Sequence, residues 1–331
     1  MTHVLSPLGA TSADGGVDPA VSVIIPHYND LKNLERCIGL LAAQTLPRDQ
    51  FEVVVADNNS RCGLEAVRRV CGAFARVVPA PIQGAGPARN AAVAASRGAV
   101  LAFIDSDCRP TSTWLERGLA ALTKAPLVGG RVDVDYEDPA RPTDVETFER
   151  VFAFNFKTYI EVEGYAGSGN MFVPRAIFDA VGGFRAQVQE DVDWGKRALA
   201  ANYRFSYADD VVLSHPGRRN WTELTQKWDK ETRQAYAAAI EKPHGRLKWF
   251  LRGFAVLASP FVHWTKIARS PKLDSISQRL MATGVLFRIR FWRFVESNRL
   301  LLADLRTGAA TAPGAPSAKA GAGPSGDRGP A

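Results

Sequence analysis

A chain of 331 residues, 46% hydrophobic and 23% charged, has a globular composition that can bury one large core or two small ones, which excludes a fibrous or wholly disordered protein. The net charge of +7 matters less in total than in placement, because the excess lies largely in the C-terminal third. The cysteines (Cys37, Cys62, Cys71 and Cys108) show no CxxC pairing and no histidine at zinc-finger spacing, so reduced cytosolic thiols are expected instead of a disulfide or zinc framework.

The first nineteen residues and the stretch from Thr307 onward are rich in Gly, Ala, Ser and Pro without apolar periodicity, and are expected to be disordered tails. No apolar run follows a basic start, so no secretory signal is expected. From Ala20 the chain alternates. Ala20 to Pro26 reads as a buried strand, and Leu31 to Gln44 as a helix with Leu34, Ile38 and Leu41 on one face. Phe51 to Asp57 is a second strand, ending in the turn residues Asn58-Asn59-Ser60. A helix over Leu64 to Phe74, a short strand at Arg76-Val77-Val78 and an Ala-rich helix over Pro87 to Ser96 lead into the strand Val100 to Ile104. Strands alternating with helices predict βαβ units and a parallel sheet, with every strand's carboxyl end on one side.

The second half is less regular. A helix is expected over Trp114 to Lys124, a strand over Leu127 to Val134, and a helical run of aromatics over Phe148 to Val162. A flexible loop at 164–170, a strand at Met171-Phe172-Val173 and a turn at Gly182-Gly183-Phe184 follow. A helix over Asp193 to Asn202 and a short strand, Val211 to Ser214, end this part at His215.

The most informative stretch is Phe103-Ile104-Asp105-Ser106-Asp107, a buried strand that releases two carboxylates one residue apart. In open α/β sheets that edge binds ligands. Two acids so close repel unless a cation or ligand hydroxyl sits against them, and a hard divalent ion with oxygen ligands, Mg²⁺ or Mn²⁺, is the economical partner. A plain surface turn is the competing reading. Cys108 beside the pair reads as a small buried side chain. A dinucleotide-binding fold is opposed, because Pro26-His27-Tyr28-Asn29-Asp30 stands where the glycine-rich turn belongs. Gly84-Ala85-Gly86-Pro87 imitates that turn before the wrong strand, and Pro87 fits a helix start.

In order along the chain, Val23 to Asn29, Val54 to Ser60, Gly86 to Ala92, Phe103 to Asp107, Gly169-Asn170-Met171, Gly182-Gly183-Phe184 and Glu190 to Trp194 resemble the motifs of the family 2 glycosyltransferases, in their bacterial form. The resemblance covers roughly residues 20 to 225, about two-thirds of the chain. It implies a GT-A fold, a mixed α/β sheet flanked by helices, with a donor half at 20–110, an acceptor half at 111–225 and a helical extension at 226–306. It implies an inverting transfer from a nucleoside-diphosphate sugar, uridine mildly preferred, to a saccharide or lipid-linked acceptor. Asp57 then pairs with the nucleobase in a pocket shaped by Pro26 and Tyr28. Arg89 lies beside the diphosphate, Asp105 and Ser106 face the ribose, and Asp107 and His215 hold the metal. Asp191 is the implied base. Gly169, Asn170, Glu190 and Trp194 are the implied acceptor side, Trp194 by stacking on a sugar ring, although a core tryptophan or a helix cap at Glu190-Asp191 would explain the same residues. A noncatalytic nucleotide-sugar-binding subunit of a polysaccharide-assembly complex is the alternative. A sugar nucleotidyltransferase is disfavoured by the missing glycine-rich loop with arginine after the first strand.

Beyond Arg218 the residues stand alone. Gly253 to Val262 is apolar but too short to span a bilayer, which takes about 20 apolar residues. Leu280, Gly284, Phe287, Phe291, Phe294, Val295, Leu302 and Leu305 share one helical face, flanked by Arg288, Arg290 and Arg299. With Trp249, Trp264 and Trp292 this suits either a membrane surface along 247–305 or an ordinary packed helix. The arginines flank an apolar stripe instead of forming a continuous basic surface, so no nucleic-acid partner is expected. The expected location is the cytoplasm, and on the membrane reading the inner face of the cell membrane.

Overall fold

The computed structural model describes residues 18–307, so most of the two expected tails lies outside the described residues. The described chain divides into two compact units, one running to Gly217 and the other from Arg218.

The first unit is built on an eight-stranded sheet. Its strands are β1 (Val21–His27), β2 (Phe51–Asp57), β3 (Arg76–Pro79), β4 (Val100–Ile104), β5 (Arg109–Pro110), β6 (Leu127–Asp135), β7 (Asn170–Pro174) and β8 (Phe205–Pro216), in the order β3-β2-β1-β4-β7-β6-β8-β5. The first four strands in that order run parallel. The parallel expectation, read from the first half, holds there, and the rest makes the sheet mixed: β7 pairs antiparallel with both β4 and β6, whereas β8 runs parallel to β6.

Both faces of the central strands are apolar, as a sheet covered on two sides requires. Val21, Val23 and Ile25 pack on one side with Leu34 and Leu41 of α1 (Leu31–Ala42) and with Trp114 of α4 (Trp114–Leu122), while α2 (Leu64–Cys71) adds Val67. Ile24, Val54, Leu101 and Phe103 face the other side, against α3 (Ala85–Ala94), α7 (Arg175–Val181) and α8 (Glu190–Ala200). The first helix starts where Asp30 accepts a hydrogen bond from the Asn33 N–H, an N-cap that sets the chain's exit from β1. In α4, a Cβ on Gly118 would lie 2.2 Å from the Phe172 ring, so only glycine lets this helix reach the sheet.

The aromatic run at 148–162 is two helices, α5 (Asp144–Phe152) and α6 (Phe156–Glu161), instead of one. The side-chain spacing continues across the break, but Phe154 takes a left-handed φ of 53° and its ring centroid lies 4.7 Å from that of His215. A tertiary contact overrides local periodicity there. A capping box at Thr143 and Glu146 fixes the start of α5. The helix α8 begins at Glu190, earlier than apolar spacing alone indicated, so Glu190 and Asp191 occupy its first turn.

The second unit is helical: α9 (Trp221–Ile240), α10 (Gly245–Ala258), α11 (Pro260–Ala268) and α12 (Ile276–Thr307). Tyr236 donates to Asp304 at 2.7 Å, Arg246 donates to the same carboxylate at 2.7 Å, and the Trp249 indole N–H donates to the Ser297 carbonyl at 3.1 Å. The apolar stripe of α12 does not face this core. Leu280, Phe287, Phe291, Val295, Leu302 and Leu305 are exposed, whereas Val285, Leu286, Ile289, Arg293, Glu296 and Asp304 are buried. Among the described residues no helix is long and apolar enough to cross a membrane.

Candidate active site

Because β1, β2 and β4 are parallel neighbours, their carboxyl ends open on one side, and a cavity of about 470 Å³ lies there. Its wall takes Pro26, His27 and Tyr28 from the end of β1, Asn58 after β2, and Asp105, Ser106 and Asp107 after β4. The start of α3 and the residue before it add Gly84, Ala85, Ala88 and Arg89, α8 adds Glu190, and β8 adds His215.

Two of the turns are held in left-handed backbone, Asn29 at φ 56° and Asn59 at φ 63°, a conformation asparagine tolerates better than bulkier residues. The Asn58 side chain fastens the opposite wall. It donates to the Ala80 and Ile82 carbonyls, both at 2.7 Å, and accepts from the Gly84 N–H at 2.7 Å. Gly84 has a φ of 131°, which side-chain-bearing residues rarely adopt. Asn58→Ala orphans all three groups, and a cost of about 1–3 kcal/mol appears as a roughly tenfold or larger rise in donor KM in steady-state kinetics.

Asp57 does not line this cavity. It is 5% exposed, with one carboxylate oxygen 3.1 Å from His27 Nδ1 and the other accepting from the Ser60 N–H at 3.3 Å. His27 Nε2 accepts from the Asp30 N–H at 3.3 Å, so Nδ1 carries the hydrogen directed at Asp57. Tyr28 is half exposed at the cavity mouth, where a flat base could stack on its ring.

Arg89 is buried between two acids, donating to Asp105 at 2.5 Å and to Glu190 at 3.1 Å. Burial alone would lower its pKa, but Asp105, Glu190 and Asp191 together raise it, so the cation is secure. Gly169 lies behind this pair: a Cβ there would be 2.9 Å from an Asp105 oxygen. Asp191 sits beyond Glu190 in the first turn of α8. Burial and the charge of Glu190 raise its pKa above the ordinary carboxylate value, against the pull of Arg89 and the helix N–H groups.

At the far side of the cavity, Asp107 Oδ2 and His215 Nε2 are 3.1 Å apart. His215 Nδ1 lies 2.7 Å from the Pro216 carbonyl, an acceptor, so Nδ1 carries a hydrogen and Nε2 is the atom turned to Asp107. Burial would raise the Asp107 pKa, yet the His215 imidazole opposite it holds it below the usual value. Burial would likewise lower the His215 pKa, and Asp107 more than reverses that. Either a proton or a metal ion fits between two such donors, and an oxygen–nitrogen set suits Mg²⁺ or Mn²⁺. Among the described residues, Asp105, Asp107 and Cys108 also offer ligand atoms within 4.8 Å of one another, but burial and both acids raise the Cys108 pKa well above its ordinary value, so the thiol is a poor ligand.

Two expected acceptor-side residues lie elsewhere. Asn170 is fully buried, its amide accepting from the Trp114 indole N–H and donating to the Arg131 and Val211 carbonyls. Trp194 is fully buried too, stacked on Phe178 with its N–H on the Gly182 carbonyl. A satisfied core side chain has nothing left to offer a sugar. Trp194→Ala should therefore cost about 3–5 kcal/mol in denaturant unfolding while leaving the acceptor KM of the folded fraction unchanged. Sequence reasoning placed Asn58 at a strand exit without giving it a role, and missed Phe154. Asn58 carried a signal in its turn motif, whereas no local pattern marked Phe154.

A GT-A-like mixed sheet with a crevice and paired acids at its strand ends is the architecture of a nucleotide-sugar-dependent transferase. The glycosyl transferase family 2 model matches residues 22–191, and the chain belongs to that family, a glycosyltransferase of class EC 2.4. It is 37% identical over 208 residues to the glycosyltransferase AglE of Haloferax volcanii, covering 60% of this chain and 68% of that one. It is 28% identical over 240 residues to the pre-mycofactocin glycosyltransferase of Mycobacterium tuberculosis, covering 67% of this chain and 47% of that protein. Among solved structures, the mannosyltransferase PcManGT from Pyrobaculum calidifontis, in complex with GDP-Man and Mn²⁺, shares the fold with a TM-score of 0.52 and 22% identity over 87% of this chain and 88% of that one. AglE is archaeal, so the likeness singles out no bacterial branch.

Proposed function

We propose that this glycosyltransferase moves a sugar from a nucleoside-diphosphate donor to an acceptor hydroxyl by a single displacement with inversion, with Asp191 as the base. The observation that carries this reading is the convergence of Arg89, Asp105, Glu190 and the Asp107–His215 pair on one cavity, with Asp191 at the adjoining helix start.

Pro26, Tyr28 and the His27–Asp57 pair shape the nucleobase end, with Asp57 acting through the imidazole it orients. Asp105 and Ser106 lie toward the ribose. Arg89, a fixed buried cation, offsets charge that builds on the diphosphate as its bond to the anomeric carbon breaks. Asp107 and His215 would hold a divalent ion, Mg²⁺ or Mn²⁺, and when bound it neutralises the departing diphosphate. Asp191 accepts the proton of the attacking hydroxyl while that oxygen bonds to carbon from the opposite face. The helix N-terminus keeps the carboxylate in place, and its raised pKa makes it a stronger base than an exposed aspartate. No covalent intermediate is required.

The acceptor is a saccharide or a lipid-linked saccharide. The outward apolar side chains of α10, α11 and α12 support a membrane-surface location, in keeping with action on the inner face of the cell membrane. A screen of uridine and guanosine diphosphate sugars, with Mg²⁺ and Mn²⁺ in parallel, should give acceptor-dependent nucleoside diphosphate release. Nuclear magnetic resonance of the product should show the inverted anomer. A retained anomer would overturn the single displacement.

A further inference from the structure

The second unit buries charge that its own side chains leave uncompensated. Between residues 218 and 307 there are 18 Lys and Arg against 7 Asp and Glu. Most of its buried acids are taken: Glu296 by Arg233 and Arg299, Asp304 by Arg246 and Tyr236. Arg293, however, is only 8% exposed and has no ion pair or hydrogen bond among the described residues. Its guanidinium lies 3.8 Å from the Trp228 ring centroid, and its nearest charged company is cationic.

One turn earlier on α12, half-buried Arg290 donates to His263 Nδ1 at 3.3 Å, and burial together with Arg290 and Lys266 lowers the pKa of that imidazole, so it brings no negative charge. Arg252 on α10, stacked over Trp249, completes the cluster. Burial, Arg290 and Arg252 together push Arg293 down to about 9, and Glu231, the acid that opposes this, is committed to Lys227 at 3.9 Å. Four buried polar atoms on the facing helices lack partners: Arg290 Nε, Arg293 Nε, Trp228 Nε1 and Thr232 Oγ1. Three of these are pure donors. A buried guanidinium without a counter-charge is costly, and an oxyanion that spreads its charge over several oxygens supplies one to neighbouring arginines.

We propose that Arg252, Arg290 and Arg293 form a phosphate-binding site that takes the headgroup of a membrane lipid. A lipid source is favoured because the same helices carry strongly exposed apolar side chains, with Phe261 at 73%, Val262 at 70%, Phe291 at 59% and Trp264 at 49% exposure. Aromatic and aliphatic groups beside an arginine cluster match the boundary between acyl chains and headgroups. The lipid source rests on the membrane-surface reading; the phosphate site itself does not.

The test uses the full chain and three proteins: wild type, Arg252→Gln and Arg293→Met. Flotation compares phosphatidylcholine vesicles carrying phosphatidic acid with vesicles carrying phosphatidylserine at matched surface charge. Wild type should bind the exposed phosphate monoester about tenfold more tightly, and both substitutions should erase that preference, leaving only charge-driven binding. In parallel, inorganic phosphate should raise the unfolding midpoint of wild type, relative to sodium chloride of equal ionic strength, but not that of Arg252→Gln. Arg252 is exposed, so this variant reports even if Arg293→Met unfolds. Vesicle binding that follows surface charge alone, together with an unchanged phosphate effect in Arg252→Gln, overturns the site. A phosphate effect lost in Arg252→Gln without any headgroup preference overturns the lipid source. Nucleoside diphosphate release by Arg252→Gln on a soluble acceptor should match wild type, which keeps failure here distinct from failure of the transferase reading.

Discussion

Asp191→Asn is expected to lower kcat by about 10²- to 10⁴-fold, the range of a well-placed general base, with donor KM nearly unchanged. The amide keeps the shape and the contacts of the first turn of α8 but cannot take the proton. The same substitution should raise the thermal midpoint at neutral pH. In the folded protein the carboxyl pKa is raised by burial and by Glu190, so the native state prefers its protonated form. That preference stabilises the fold at low pH and is lost as pH rises through the folded pKa. At neutral pH the ionised group is a burden that asparagine removes. For wild type, kcat should therefore decline on acidification from a pH above the ordinary carboxylate range. An active Asp191→Asn enzyme with an unshifted acid limb would remove Asp191 from the chemistry.

Asp107→Asn is the second large effect, a fall in kcat on the order of 10²-fold or more, as expected where one group supports transition-state charge. Treatment with a chelator should reproduce this loss in the wild type, and added Mn²⁺ or Mg²⁺ should restore it. The independent readout is Mn²⁺ binding by electron paramagnetic resonance in the absence of donor. His215→Ala and Asp107→Asn should each weaken it, because each removes one of two donors that stand 3.1 Å apart. Equal Mn²⁺ affinity in all three proteins would mean that the pair is a simple ion pair. Phe154→Ala gives a milder version, since removing the ring beside His215 frees the imidazole without deleting it.

The donor half was easy to read because its signals are local. Val23 to Ile25 and Val100 to Ile104 are apolar on both faces, so their burial follows from composition, and the acids that follow Ile104 must emerge at the sheet edge. Asp105, Asp107 and Arg89 accordingly reach the cavity that their motifs implied. Asp57 shows the limit. Its position after β2 was plain, but its capture by His27 depends on the lateral pairing of two strands. Trp194 and Asn170 mark a second limit: a side chain able to bind a sugar is equally able to pack, and only its neighbours decide.

The amino-acid order by itself determined the alternation of strands and helices from β1 to β4, which strand ends are acidic, and that α12 carries an apolar stripe, since periodicity and composition act over a few residues. The tertiary structure alone decided that β7 enters antiparallel, that His215 meets Asp107, and that Arg293 turns inward while Phe291 turns out. Those outcomes depend on long-range packing between segments whose attraction is nearly nondirectional, so no local pattern encodes them.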